Sequence, residues 1–159
     1  MGYHVGGLIM HFTSVRRNDF LEMVLHHTVA IYLYGGSYLF NVWETGAVIA
    51  YIHDFTDITV SMIKILTETR YKNATAAVFI NHILVWGYMR NWVFPQLIYT
   101  CWITPIDFGH WCILPIYVFM LSCLLLLHWH WMILFLKLLV KFATTSSYED
   151  VMEKTEVKI

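Results

Sequence analysis

The hydrophobic positions of this chain fall in long, nearly unbroken runs separated by short polar breaks. The first run, Tyr3–Phe12, is shorter than the roughly 20 residues that cross a bilayer. It reads as the end of a helix whose beginning lies outside the chain. Arg16, Arg17, Asn18 and Asp19 interrupt the apolar pattern, with Asp19 placed as a helix N-cap. Four helices are predicted after it: Phe20–Phe40, with a soft point at Gly35–Gly36; Thr45–Leu66; Ala74–Trp102; and Trp111–Phe142. Pro95 removes a backbone donor and predicts a kink in the third. The connections are a short turn at Asn41–Glu44, a polar loop at Thr67–Asn73 and a turn at Thr104–His110. From Ala143 the chain turns polar and acidic, which predicts a disordered tail. The pattern divides the chain into a helical membrane unit, 1–142, and a cytoplasmic tail, 143–159. The fold class is all-α: a polytopic membrane helical bundle of about four transmembrane helices plus the end of a preceding one.

Composition supports the membrane reading. Of 159 residues, 58% are hydrophobic and 13% charged, against about 25% charged in soluble domains. The net charge of −1 offers no basic field for nucleic acid. Cys101, Cys112 and Cys123 lie in apolar surroundings without CxxC spacing, so they read as small buried hydrophobes. The N-terminus lacks the basic region and cleavage site of a signal peptide. Gly6 stands where a myristoylation pattern needs Ser or Thr.

Lys and Arg alternate between the connections. Arg16 and Arg17 precede the first full helix, Arg70 and Lys72 lie in the second loop, and Lys137 and Lys141 close the last helix. The turns at 41–44 and 104–110 carry none. The positive-inside rule then places the loop at Arg70–Lys72 and the C-terminus in the cytoplasm. The sequon Asn73-Ala74-Thr75 would face the cytoplasm and stay unmodified. Lys137 and Lys141 read as snorkelling anchors.

Against this apolar background one polar cluster stands out. His26 and His27 sit inside the first full helix, and His53, Asp54 and Asp57 inside the second. An ionised side chain in lipid costs about 2.5–3.5 kcal/mol on insertion scales, so such a cluster reads as functional. At 1.5 Å per residue His26 lies about 10 Å from the cytoplasmic start of its helix and Asp57 about 14 Å from the cytoplasmic end of its own. The short turn between the two makes them antiparallel neighbours, so both sets converge in the cytoplasmic half. His53, Asp57 and Lys64 fall close to one helix face, with Asp54 and Ser61 about 100° away. Zinc or iron binding is the rival chemistry, but the HxxxH and HxxHH motifs of membrane di-iron enzymes are absent. His128 and His130 face different sides of the last helix and read as packing. His4, His11, His82 and His110 receive no assignment.

These residues carry a family resemblance. RRNDFLEMVLHH, Ser37-Tyr38, Gly46, HDFTD and Lys64 resemble the ceramide synthase family, members of the TLC-domain membrane proteins. Weaker similarity runs through YKNATAAVFI, the Arg90 to Pro95 region and the end of the last helix, covering nearly the whole chain. The resemblance implies a multi-pass enzyme of the endoplasmic reticulum membrane. It would transfer a fatty acyl group from acyl-CoA to the amine of a sphingoid base, without a cofactor. Membrane lipids, acyl-CoA and sphingoid base are the implied partners, and a homo- or heterodimer is compatible. The resemblance makes His26 the central catalytic residue. Asp57 is read as its partner, with His27, His53 and Asp54 in support and Lys64, Arg90 and Ser61 as substrate contacts. Asp107 is a further candidate for the headgroup or CoA, and the turn at Thr104–His110 for acyl-chain preference. Glu44 stands where the family usually has Arg, and Ser61 where it usually has Glu. The family's preceding helices are absent, so the chain reads as a partial one. Two other readings stay open: a non-catalytic TLC-type protein that binds lipids or assists membrane proteins, and a proton-coupled transporter subunit.

Overall fold

The computed structural model describes residues 2–13, 20–67, 71–103 and 113–144. Every described element is helical. The helices are α1 (Gly2–Thr13), α2 (Phe20–Leu39), α3 (Trp43–Thr67), α4 (Lys72–Trp86), α5 (Phe94–Ile103) and α6 (Ile113–Thr144). A π-helical segment, Gly87–Val93, joins α4 to α5. The break at Arg16–Asp19, the Glu68 and Arg70 part of the loop, the turn at 104–110, Cys112 and the tail beyond Thr144 lie outside the described residues; Ala143 and Thr144, expected in the tail, extend α6.

The expected helices are present, with ends displaced by one or two residues in most cases. The stretch just before Pro95, Gly87–Val93, departs from the α repeat and is π-helical. Pro95 has no N–H, and its ring would crowd the carbonyl four residues back. Arg90 lies inside the π segment and is buried in the bundle; such π turns recur at functional sites. The soft point at Gly35–Gly36 does not interrupt α2.

The α2–α3 turn is specified locally. Asn41 has a φ of 56°, the left-handed conformation that Asn tolerates better than most residues. Its N–H donates to Tyr38 O at 3.2 Å, and the Val42 N–H donates to Ser37 O at 2.9 Å. This is a Schellman C-cap. Val42 O then accepts from the Gly46 N–H at 3.2 Å and opens α3. Gly46 is required where α2 and α3 touch: a Cβ there would collide with Ser37 Oγ and lie 2.6 Å from its Cβ.

The bundle packs α1 on α2, α2 on both α3 and α6, α3 on α4, and α5 on α6. Leu33, Ile49, Ile52, Phe94, Leu121 and Leu124 form its apolar core. The polarity is otherwise inverted. Arg90, His26, His53, His82 and His128 are buried, while Tyr32, Ile58, Leu84, Trp92, Phe119 and Leu126 are exposed. A water-soluble protein rarely shows so much large apolar surface, whereas a hydrocarbon solvent favours it. By length and composition one described helix, Leu114–Phe142, qualifies as a membrane crossing. The expected count of four rests additionally on α2, α3 and the α4–α5 stretch, which hold the ionisable groups of the interior.

Candidate functional site

Three buried imidazoles meet at the bundle axis: His26 from α2, His53 from α3 and His128 from α6. One ring nitrogen from each lies within 4.8 Å of the others. The His26 and His53 rings stack at 5.7 Å and 25°, and His53 and His128 lie 5.1 Å apart. Trp131 meets His26 edge-on at 5.2 Å, and Phe94 meets His128 edge-on at 4.9 Å.

Arg90 organises one side of this cluster from the π segment. Its side chain is 1% exposed. Nε donates to Thr56 Oγ1 at 2.7 Å, and Nη2 donates to His53 O at 3.2 Å and to Asp57 Oδ1 at 2.9 Å. Nη1 donates to His128 Nε2 at 3.1 Å. The guanidinium also lies 4.2 Å over the Trp86 ring. Asp57, 25% exposed, neutralises the buried charge.

The hydrogen bonds fix two tautomers. Arg90 can only donate, so His128 Nε2 holds the lone pair and His128 Nδ1 the proton. His53 Nδ1 donates to Ile49 O at 2.8 Å, which leaves His53 Nε2 as an acceptor. His53 Nε2, His128 Nδ1 and His26 Nδ1 are all buried without a hydrogen-bond partner. The arrangement suits proton handling better than a metal ion. His128 has spent its lone pair on Arg90, and the adjacent guanidinium charge disfavours a second cation.

His27 faces away from the trio. Its Nδ1 lies 3.2 Å from His4 Nδ1, and α1 approaches so closely that a Cβ on Gly7 would lie 2.9 Å from the His27 ring. Asp54 is exposed and lines two open clefts. One, about 600 Å³, includes His4, Tyr34 and Tyr38; the other, about 460 Å³, includes Asp57 and Ser61. Ser61 Oγ donates to its own backbone at Asp57 O, 2.9 Å.

The structure therefore brings His26 and His53 together but gives Asp57 to Arg90. Sequence reasoning paired Asp57 with His26 and used His53 and Lys64 to hold its charge. Helix spacing sees only partners on the same or adjacent helices, whereas Arg90 arrives from the π segment. Lys64 is exposed and lines a separate apolar cavity with His82. Arg90, expected at a substrate headgroup, is an interior residue. His128 was read as packing; the structure buries it with Trp131, three residues on, and leaves His130 exposed. His4, left unassigned, is the neighbour of His27. Asp107 and His110 lie outside the described residues, as does the turn assigned to acyl preference.

Comparison with known proteins adds a family. A family model described as the TLC domain matches residues 1–137. Ceramide synthase 4 of Mus musculus is 35% identical over 148 residues, covering 89% of this chain and 37% of that protein. Ceramide synthase 4 of Homo sapiens is 31% identical, over 94% of this chain and 38% of its own length. A sphingosine N-acyltransferase of Schizosaccharomyces pombe is 27% identical, over 84% of this chain and 38% of its own. The chain spans a little over a third of the length of these relatives.

Proposed function

The chain belongs to the TLC-domain family, and from that premise we propose that it carries the acyl-transfer site of a ceramide synthase-like enzyme. The reaction joins the acyl group of a fatty acyl-CoA to the amine of a sphingoid base. The observation that carries the proposal is the buried trio of His26, His53 and His128, held by Arg90 inside a bundle with an apolar exterior. The names of the relatives support the substrate classes.

In this reading neutral His26 attacks the thioester carbonyl. The C–S bond breaks, CoA leaves as thiolate and takes up a proton, and an acyl-imidazole remains. The amine then attacks that acyl group, the C–N bond to imidazole breaks, and the proton that the amine nitrogen sheds goes to the departing imidazole, so His26 returns neutral. As charge develops on His26, its Nδ1–H needs an acceptor, a role carboxylates fill in serine proteases. His53 Nε2 is the unpartnered acceptor on the stacked neighbouring ring. The rings are stacked, so a bond between the two requires one imidazole to turn out of the stack. His128 and Arg90 are positioning residues. Asp54, exposed between the two clefts, attracts the cationic amine substrate. The site works in the endoplasmic reticulum membrane, with the C-terminus in the cytoplasm.

The test is incubation of microsomal membranes carrying the protein with labelled acyl-CoA, with and without sphingoid base. We expect labelled ceramide with base, and an acyl adduct on His26 by mass spectrometry without it. General acid–base assistance alone is worth about 10²–10⁴-fold. A His26→Ala protein that retained more than about a tenth of its turnover would therefore exclude both a nucleophilic and a proton-transfer role. Lipid binding without ceramide formation by the unaltered protein would favour the non-catalytic reading.

A further inference from the structure

A second polar arrangement lies outside the histidine trio. α3, α4 and α6 enclose a cavity of about 350 Å³, within the roughly 300–1,000 Å³ of small-molecule sites. Its walls are apolar, Ile63, Phe79, Phe135 and Leu138 among them. Four polar side chains interrupt that lining: Thr67 and Thr75, whose hydroxyls donate to the backbone at Lys64 O (2.7 Å) and at Leu66 O and Tyr71 O (3.2 and 3.1 Å), and two with groups left for a ligand. Lys64 is exposed, and no carboxylate forms an ion pair with it among the described residues. His82, 1% exposed, is the other.

The tautomer of His82 follows from its neighbours. Thr59 Oγ1 gives its one proton to Thr56 O at 2.6 Å. The 2.7 Å contact between Thr59 Oγ1 and His82 Nδ1 therefore has the imidazole donating. Nε2 keeps the lone pair and is buried with no hydrogen-bond partner. A buried acceptor without a donor is costly, so a ligand that brings one gains affinity. Phe135 meets the His82 ring edge-on at 5.0 Å and holds it in place.

We propose that this cavity binds a single-chain lipid with an anionic phosphate head and a free hydroxyl a few atoms from it. The phosphate pairs with Lys64, the hydroxyl donates to His82 Nε2, and the acyl chain fills the apolar space. The spacing suits such a head. His82 is tied to Thr59, five residues before Lys64, or about 7.5 Å along α3, and the flexible Lys64 stem covers part of that distance. A fatty carboxylate lacks the donor, a neutral monoacylglycerol lacks the anion, and Lys64 repels the ammonium of a sphingoid base. The site is thus distinct in chemistry from the acyl-transfer site.

Native mass spectrometry of the purified protein, titrated with oleoyl lysophosphatidate, oleate and monooleoylglycerol, tests this. Lysophosphatidate is expected to bind at least tenfold more tightly than either control. Lys64→Gln should reduce it to the level of monooleoylglycerol. His82→Phe, which keeps the ring packing, should abolish the preference for lysophosphatidate over its 2-deoxy analogue. Ala76→Phe fills the cavity from another wall and should remove binding even if the His82 variant folds poorly. Equal binding of all three lipids, or lysophosphatidate binding unchanged in Lys64→Gln or Ala76→Phe, would overturn the proposal.

Discussion

Replacing Arg90 with Met removes one charge and four donated hydrogen bonds from the bundle interior while keeping most of the side-chain volume. It strands the Asp57 carboxylate and leaves His128 Nε2 and Thr56 Oγ1 without their partner. Breaking a buried ion pair from one side typically costs about 3–5 kcal/mol. Asp57 is 25% exposed, so water recovers part of that loss and the lower end, about 3 kcal/mol, is expected. Asp57→Asn should cost less, about 1.5 kcal/mol, because Arg90 keeps its bonds to Thr56, His53 and His128. With both changes no charge is stranded, so the double variant should cost less than the two single changes added together, about 3 kcal/mol rather than about 4.5. The coupling energy is then about 1.5 kcal/mol, within the range for contacting residues. Equilibrium unfolding in mixed micelles, followed by tryptophan fluorescence, measures all four corners of the cycle. Arg90→Lys should recover less than half of the loss, since an ammonium cannot reproduce the planar fork. Additive single effects, within about 0.5 kcal/mol, would refute the claim that Asp57 belongs to Arg90.

Three further outcomes are expected. Gly46→Leu should destabilise the α2–α3 contact by about 1–3 kcal/mol, because its Cβ meets Ser37; a lowered thermal midpoint in detergent measures it. His53→Phe keeps the stacked ring but loses the Nε2 acceptor, so turnover should fall by about 10²-fold or more with binding of acyl-CoA retained. Single-turnover kinetics separate the two effects. A single cysteine at position 70 should react with an impermeant maleimide in sealed microsomes with their cytoplasmic face outward; protection would reverse the assigned topology.

Local rules carried the sequence a long way, and where they stopped has a physical reason. The apolar runs are long compared with any loop, so the four main helices and their short connection at Asn41 were readable from hydrophobicity alone. The convergence of His26 and His53 also followed, because a short turn fixes two antiparallel helices in depth. The ion-pair partner of Asp57 was not legible, because spacing on α3 identifies who shares a face, not who approaches it. Arg90 approaches from a π-helical stretch, and α-helical periodicity cannot describe a segment that departs from the α repeat. His128 was missed for a related reason. In a membrane helix apolar residues cover both the lipid face and the interior, so periodicity does not say which side of α6 points inward. The informative quantity there is the placement of the few polar groups. Each buried histidine needs either a partner or a task, and His128 has Arg90 on one nitrogen and an unsatisfied proton on the other. The same reasoning separates His82 from the trio. It is equally buried, but it lines an apolar cavity beside a lysine, with Nδ1 held by Thr59, and so calls for a different assay.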